Sequence, residues 1–184
     1  MSSYKVLHKQ KFESGNFSLI PIRFEDRLDI MKWRNEQIYH LRQNKPLTFE
    51  DQDIYFKTII SNLFDQEQPN QILFSFLENN NLIGYGGLVH LNWFDKNAEI
   101  SFIMSTELEE FRFEDVWKAY LKLIEKVAFK ELKFHKIFTY AFDLRPNLYP
   151  VLISAGFNEE ARLKQHCFSE GKYIDVVIHS KLNS

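Results

Sequence analysis

The chain has 184 residues, 45% of them apolar and 26% charged, a length that one hydrophobic core serves without any staple. Its single cysteine, Cys167, excludes an internal disulfide and a multi-cysteine zinc site, and no other metal-ligand cluster is evident. The 23 basic and 25 acidic residues leave a formal charge of -2, so neither nucleic acid nor an anionic membrane is a default partner.

No apolar run approaches the ~18 residues of a spanning helix. The opening MSSYKVLHKQKFESGNFS lacks the apolar block of a leader peptide, which gives the expectation of a cytoplasmic protein. Residues 1–16 are polar and expected as a flexible arm, with a single domain over 17–184. FSLIPIR (17–23) is short and β-branched, hence a strand. EDRLDIMKWRN (25–35) carries acids in its first turn and bases in its last, which suits a helix dipole, and a second short helix is expected over Glu36 to Gln43. Thr48 with Asp51 three residues on opens a helix running to about Leu63, with Ile54, Tyr55, Thr58, Ile59 and Leu63 expected on one side.

The period then changes. QILFSFLE (71–78) and LIGYGGLVHLN (82–92) flank the turn-rich Asn79-Asn80-Asn81 and read as an antiparallel hairpin. Three of the six glycines lie in Gly84-Tyr85-Gly86-Gly87. Inside a strand, such a cluster marks close backbone approach or a bulge and not a phosphate loop. AEISFIMS (98–105) alternates, with Ile100, Phe102 and Met104 on one face and Glu99, Ser101 and Ile103 on the other. Asp115 to Leu132 is the strongest helical pattern, with Val116, Trp117, Tyr120, Leu121, Ile124, Val127 and Ala128 at helical spacing. HKIFTYAF (135–142) is a strand, a helix runs between Pro146 and Gly156, and two last strands cover 157–168 and 172–182 around Glu170-Gly171. This order predicts an α/β (α+β) fold: a mixed, mostly antiparallel sheet of about seven strands with helices on both faces. A ligand crevice is expected where the one parallel pair ends beside its crossover helix.

Five segments in this order resemble the GNAT superfamily of acetyl-CoA-dependent N-acetyltransferases, in the branch of ribosomal-protein-alanine and nucleotide-aminosugar enzymes. They are Trp33-Arg34-Asn35 with Arg42; LIGYGGL; AEISFIM; Ala128-Phe129 through Glu131-Leu132 to His135-Lys136-Ile137; and Ala155-Gly156-Phe157 with Glu160, followed by Gly171-Lys172-Tyr173 and Asp175. The resemblance covers roughly 17–182 and implies the acyl-CoA N-acyltransferase fold. It also implies acetyl-CoA as co-substrate and direct attack by a primary amine of a small molecule or amino sugar. Ile103 and Met104 are implied as backbone contacts for the thioester and pantetheine. The family's cofactor loop (Gln or Arg, two residues, Gly, one residue, Gly or Ala) falls on Arg112-Phe113-Glu114-Asp115-Val116-Trp117, where Asp115 and Trp117 take the small positions. Asn147 lies near the family's usual Asn, whose own position holds Arg145. The glycine-free loop leaves a second expectation open, a non-catalytic binding or assembly module of the same fold.

Acetylation needs a proton acceptor for the ammonium and a donor for the leaving thiolate. Glu99 is the expected base, with His90 its rival, and Tyr149 the expected acid. Trp33, Arg34, Asn35, Arg42, Tyr85 and His90 are the candidate substrate contacts, the arginines suiting a phosphate or carboxylate. Pairing into a homodimer is an open expectation.

Overall fold

Two short strands, β1 (Phe12–Ser14) and β2 (Phe17–Pro21), open the fold in the computed structural model, which describes residues 2–183. Helix α1 (Arg27–Glu36) follows a single 3-10 turn, and a second 3-10 turn, Ile38–His40, stands where a short helix was expected. Next come α2 (Phe49–Ile54), a π-helical stretch (Tyr55–Ile60) and α3 (Ser61–Leu63), which form one rod. The hairpin β3 (Gln71–Glu78) and β4 (Asn81–Asn92) leads to β5 (Asn97–Met104), then to α4 (Thr106–Phe111) and α5 (Phe113–Glu125). α5 ends in a π stretch (Lys126–Glu131). The chain closes with β6 (Lys136–Phe142), α6 (Leu148–Ser154), β7 (Asn158–Ser169) and β8 (Lys172–Leu182).

The strands make one eight-stranded sheet in the order β1-β2-β3-β4-β5-β6-β8-β7. Every neighbouring pair is antiparallel except β5 with β6. The sheet has one strand more than expected, because three-residue β1 carries no alternation to read. Adjacent residues of a strand face opposite ways, and β4 shows what covers each face. The Tyr85 hydroxyl accepts from Arg34 of α1, whereas a side chain on Gly86 would strike the Tyr120 hydroxyl of α5 at 2.7 Å. The two helices therefore lie on opposite faces, as expected. On the α5 side the core is aromatic, with Phe102 stacked on Tyr120 at 3.8 Å between centroids and Phe76 and Trp117 edge-on to them.

Three expectations change. The N-terminal residues are not a loose arm: Tyr4, Leu7 and Phe12 are buried, and the Tyr4 hydroxyl donates to the Leu73 carbonyl (2.9 Å) while accepting from the Leu73 N–H (3.0 Å). The capping box at Thr48 and Asp51 is present, but the buried face beyond it is Phe56, Ile60 and Leu63, with Ile54 and Ile59 exposed. Apolar residues lie on both sides of this rod, so the expected and the observed stripe both keep helical spacing, and of the expected one Leu63 alone is buried. Finally α4, capped by the Ser105 hydroxyl on Leu108 N–H (3.4 Å), fills a stretch where no helix was expected. No helix among the described residues is long and apolar enough to cross a membrane.

Candidate active site

β5 and β6 pair over only three positions, Asn97 with Lys136, Ala98 with Ile137 and Glu99 with Phe138. Beyond Glu99 the strands part, while β5 keeps its pairing to β4 as far as Met104. The edge of β5 turned toward β6 is thus without a strand partner. A cavity of about 210 Å³ opens there, lined by Glu99 to Ile103, Thr139 to Phe142, Arg34, Arg42, Trp117 and Arg145 among others. A wider cleft of about 760 Å³ lies beside it, lined by Tyr55, Tyr85, His90, Lys45, Asp51 and Gln71 among others; Arg34, Arg42 and Ser101 border both. This matches the crevice expected at the parallel pair.

Glu99 stands where the two cavities meet. It is buried, its Oε1 accepts from the Arg42 guanidinium, and its Oε2 lies 3.2 Å from His90 Nδ1. His90 reaches it because β4 is bulged between Val89 and Asn92, with His90 at a positive φ of 51°. Arg42 also stands over the Tyr140 ring, 4.8 Å from its centroid. Arg34 projects from α1 between the cavities and donates to the Tyr85 hydroxyl (2.7 Å) and to Gln43 Oε1 (2.9 Å). No carboxylate pairs with Arg34 among the described residues.

The remaining candidates divide. Trp33 is core, and Asn35 ties down the following loop through its bonds to the backbone of Leu47, so neither lines a cavity. Ile103 lines the gap; Met104 does not, and its carbonyl accepts from Gln37 (2.8 Å). Tyr149 lies outside both linings, its hydroxyl donating to Asp143 and its ring stacked on His179. Burial, with the Asp143 carboxylate second, pushes that hydroxyl far above the usual phenol range, so it is badly suited to give up a proton. Asn147 is exposed, at the start of α6.

The glycine-free loop is ordered as helix. Arg112 marks the break between α4 and α5 and forks onto Glu78 at 2.8 and 2.9 Å. Glu114 is exposed and pairs with Lys118, and Asp115 is exposed as well. These carboxylates, which would oppose an anion, are therefore turned to solvent. Val116 is core, and of the six only Trp117 lines the gap. Phe113 packs under Arg145, with guanidinium carbon and ring centroid 5.2 Å apart. The splayed strands thus offer room for an acyl-pantetheine end, and no carboxylate of the loop crowds it.

Sequence reasoning did not single out Tyr140, His40 or Glu109, and it noted Arg145 only by position. Tyr140 had no signal beyond its place on a strand. His40 and Glu109 come near the gap through tertiary contacts that no spacing announces.

A profile of the acetyltransferase (GNAT) domain matches residues 20–178. Solved structures share the fold. Spermidine N-acetyltransferase from Vibrio cholerae in complex with CoA and spermine superposes with a TM-score of 0.76 at 22% identity, over 92% of this chain and 97% of that one. Its N152L mutant gives 0.77 at 22% identity, over 93% and 96%. A dodecameric structure of the same enzyme gives 0.72 at 23% identity, over 93% and 96%. No curated protein matches the chain. The chain belongs to the GNAT acetyltransferase family. It is an acetyl-CoA-dependent N-acetyltransferase, and acetyl-CoA is its co-substrate.

Proposed function

We propose that this enzyme acetylates a small primary amine that carries a negatively charged group, a carboxylate or a phosphate. The observation that carries this reading is Arg34, a guanidinium at the junction of the two cavities whose polar partners are a phenol and an amide, with no counter-ion. Lys45 adds a second cation to the cleft, Arg42 is matched by Glu99, and Asp51 is held by its own helix cap. A guanidinium fork suits either anion. Spermidine and spermine are polycations, and this lining repels them, so their acetylation is the rival reading that the test decides.

The ammonium must lose a proton before its nitrogen can attack the thioester carbonyl carbon. The attack forms the C–N bond, the C–S bond breaks, and the departing thiolate takes up a proton. Glu99 was the expected base, but both of its oxygens are engaged, one by a guanidinium. Once Nδ1, 3.2 Å from Glu99 Oε2, carries the ring proton, His90 has Nε2 free to accept the ammonium proton, and we assign it the base role with Glu99 as positioning residue. Orientation by the two arginines supplies the rest, since placing amine and carbonyl in contact removes much of the barrier.

A panel of amines with acetyl-CoA tests the reading. Amino acids and amino-sugar phosphates should be acetylated with higher kcat/KM than spermidine, and spermidine ranking first would overturn it. Arg34→Met should raise KM for the preferred acceptor about 10- to 100-fold, as expected for a hydrogen bond to a charged group of about 1.5–3 kcal/mol. His90→Ala should lower kcat by about 10²- to 10⁴-fold. The enzyme is further read as a single domain that includes the N-terminal residues packed on its core, cytoplasmic, and paired with a second copy of itself.

A further inference from the structure

The gap between β5 and β6 is closed at one end by a charge cluster that the transfer chemistry leaves unused. Arg145, on the turn between β6 and α6, is largely buried. Its Nη2 lies 2.6 Å from Glu109 Oε1 of α4, and its Nη1 donates to His40 Nδ1 at 3.3 Å. Its guanidinium carbon is 5.2 Å from the Phe113 centroid and 5.9 Å from that of Trp117. The cluster is incompletely satisfied: Arg145 Nε, Glu109 Oε2 and Trp117 Nε1 are all buried without a hydrogen-bond partner. Two of these three atoms are donors, and both belong to residues that line the gap.

A buried ion pair contributes to stability only when its remaining hydrogen-bonding groups are met. Here they are not, and burial also holds the Glu109 carboxyl above the usual carboxylate range and the Arg145 guanidinium below its own. Such a pair is poised for exchange. The segment that should cradle a diphosphate on bare backbone has no glycine from His90 to Ala155. The chain therefore needs a side-chain receptor for that anion, and Arg145 is the cation at the gap that is tied neither to Glu99 nor to the acceptor cleft.

We infer that Arg145, with the indole N–H of Trp117 beside it, receives the diphosphate of acetyl-CoA, and that the Glu109 carboxylate occupies this place until the nucleotide displaces it. A diphosphate offers several acceptor oxygens where the carboxylate offers two, so it can meet the donors left idle and fork onto the guanidinium. Released Glu109 moves with α4 toward solvent, where the neighbouring Glu110 and Phe111 already lie. The inference rests on the family's use of acetyl-CoA and not on the identity of the acceptor.

Calorimetric titration of the purified protein with acetyl-CoA, and with S-acetylpantetheine, which lacks the diphosphate, tests it. Arg145→Gln should weaken acetyl-CoA binding about tenfold or more while leaving S-acetylpantetheine unchanged. Glu109→Gln should tighten acetyl-CoA several-fold, because a competing anion is gone; a merely structural pair would make both variants bind more weakly. Equal affinity of wild type and Arg145→Gln for acetyl-CoA overturns the inference, as does an equal loss for both ligands. Weaker binding by Glu109→Gln also overturns it, and that variant carries the test should Arg145→Gln fail to fold. A wild-type protein that binds neither ligand overturns the use of acetyl-CoA itself, an outcome distinct from the others.

Discussion

His40 shows how one side chain records its surroundings. Burial, and after it the charge of Arg145, pushes its imidazole down to about 3. The folded ring stays neutral while the unfolded ring takes up a proton below about pH 6.5, so the unfolded state binds more protons and stability falls as pH drops through that window. The contribution from this residue should decline by up to about 1.4 kcal/mol per pH unit between pH 6.5 and 3. Urea unfolding of wild type and His40→Asn from pH 7 to pH 4 should show the steeper decline in the wild type, and parallel curves would contradict it. Glu99, Arg34 and Arg42 could be singled out from sequence because alternation and family motifs mark them. Tyr149 lies on α6 within the expected helix, but its place in the chain gives no sign of Asp143 and His179, which hold its side chain outside both cavities. Arg145 and Glu109 are far apart in the chain, and only the fold joins them.

At the scale of elements, regular periods were read correctly and irregular ones were not. The hairpin of β3 and β4 and the helix α5 follow from alternation and from a 3.6-residue stripe, and the turn Glu170-Gly171 adopts the positive φ its residues suggested. The wide turn within the rod from α2 to α3 and the acidic, nearly unpatterned TELEEF of α4 leave no such trace. The glycines of β4 were read as close approach, and so they are: a Cβ on Gly87 would stand 2.9 Å from the Ile72 carbonyl carbon and from Leu73 Cα. Gly87→Ala should therefore cost about 1–3 kcal/mol, since the strand cannot yield without opening its pairing to β3. Denaturant unfolding measures this, and an unchanged midpoint would mean the strands are not held so close.

The sheet of the whole molecule ends in three-residue β1 on one side and, beyond β8, in the longer outer strand β7 on the other. The length of β7 is lined with Glu159, Glu160, Arg162 and Lys164, charges of the kind that discourage edge-to-edge pairing. At the hairpin tip, Phe168 and Tyr173 remain 66% and 65% exposed, 5.2 Å apart between centroids. A second copy covering this tip would account for the exposure. Light scattering should give twice the chain mass of 22.1 kDa, reduced to one by Phe168→Ser with Tyr173→Ser; a monomeric wild type would remove the pairing. The brief contact of β5 with β6 has a wider consequence. Within the sheet, three rungs are all that splice β1 to β5 onto β6 to β8. The molecule is in effect two half-sheets on a common knuckle, and a guest lodged in the fork acts as the brace that the architecture omits. Resistance to heat should then belong chiefly to the loaded enzyme, and the resting one should breathe along this seam before it breaks anywhere else.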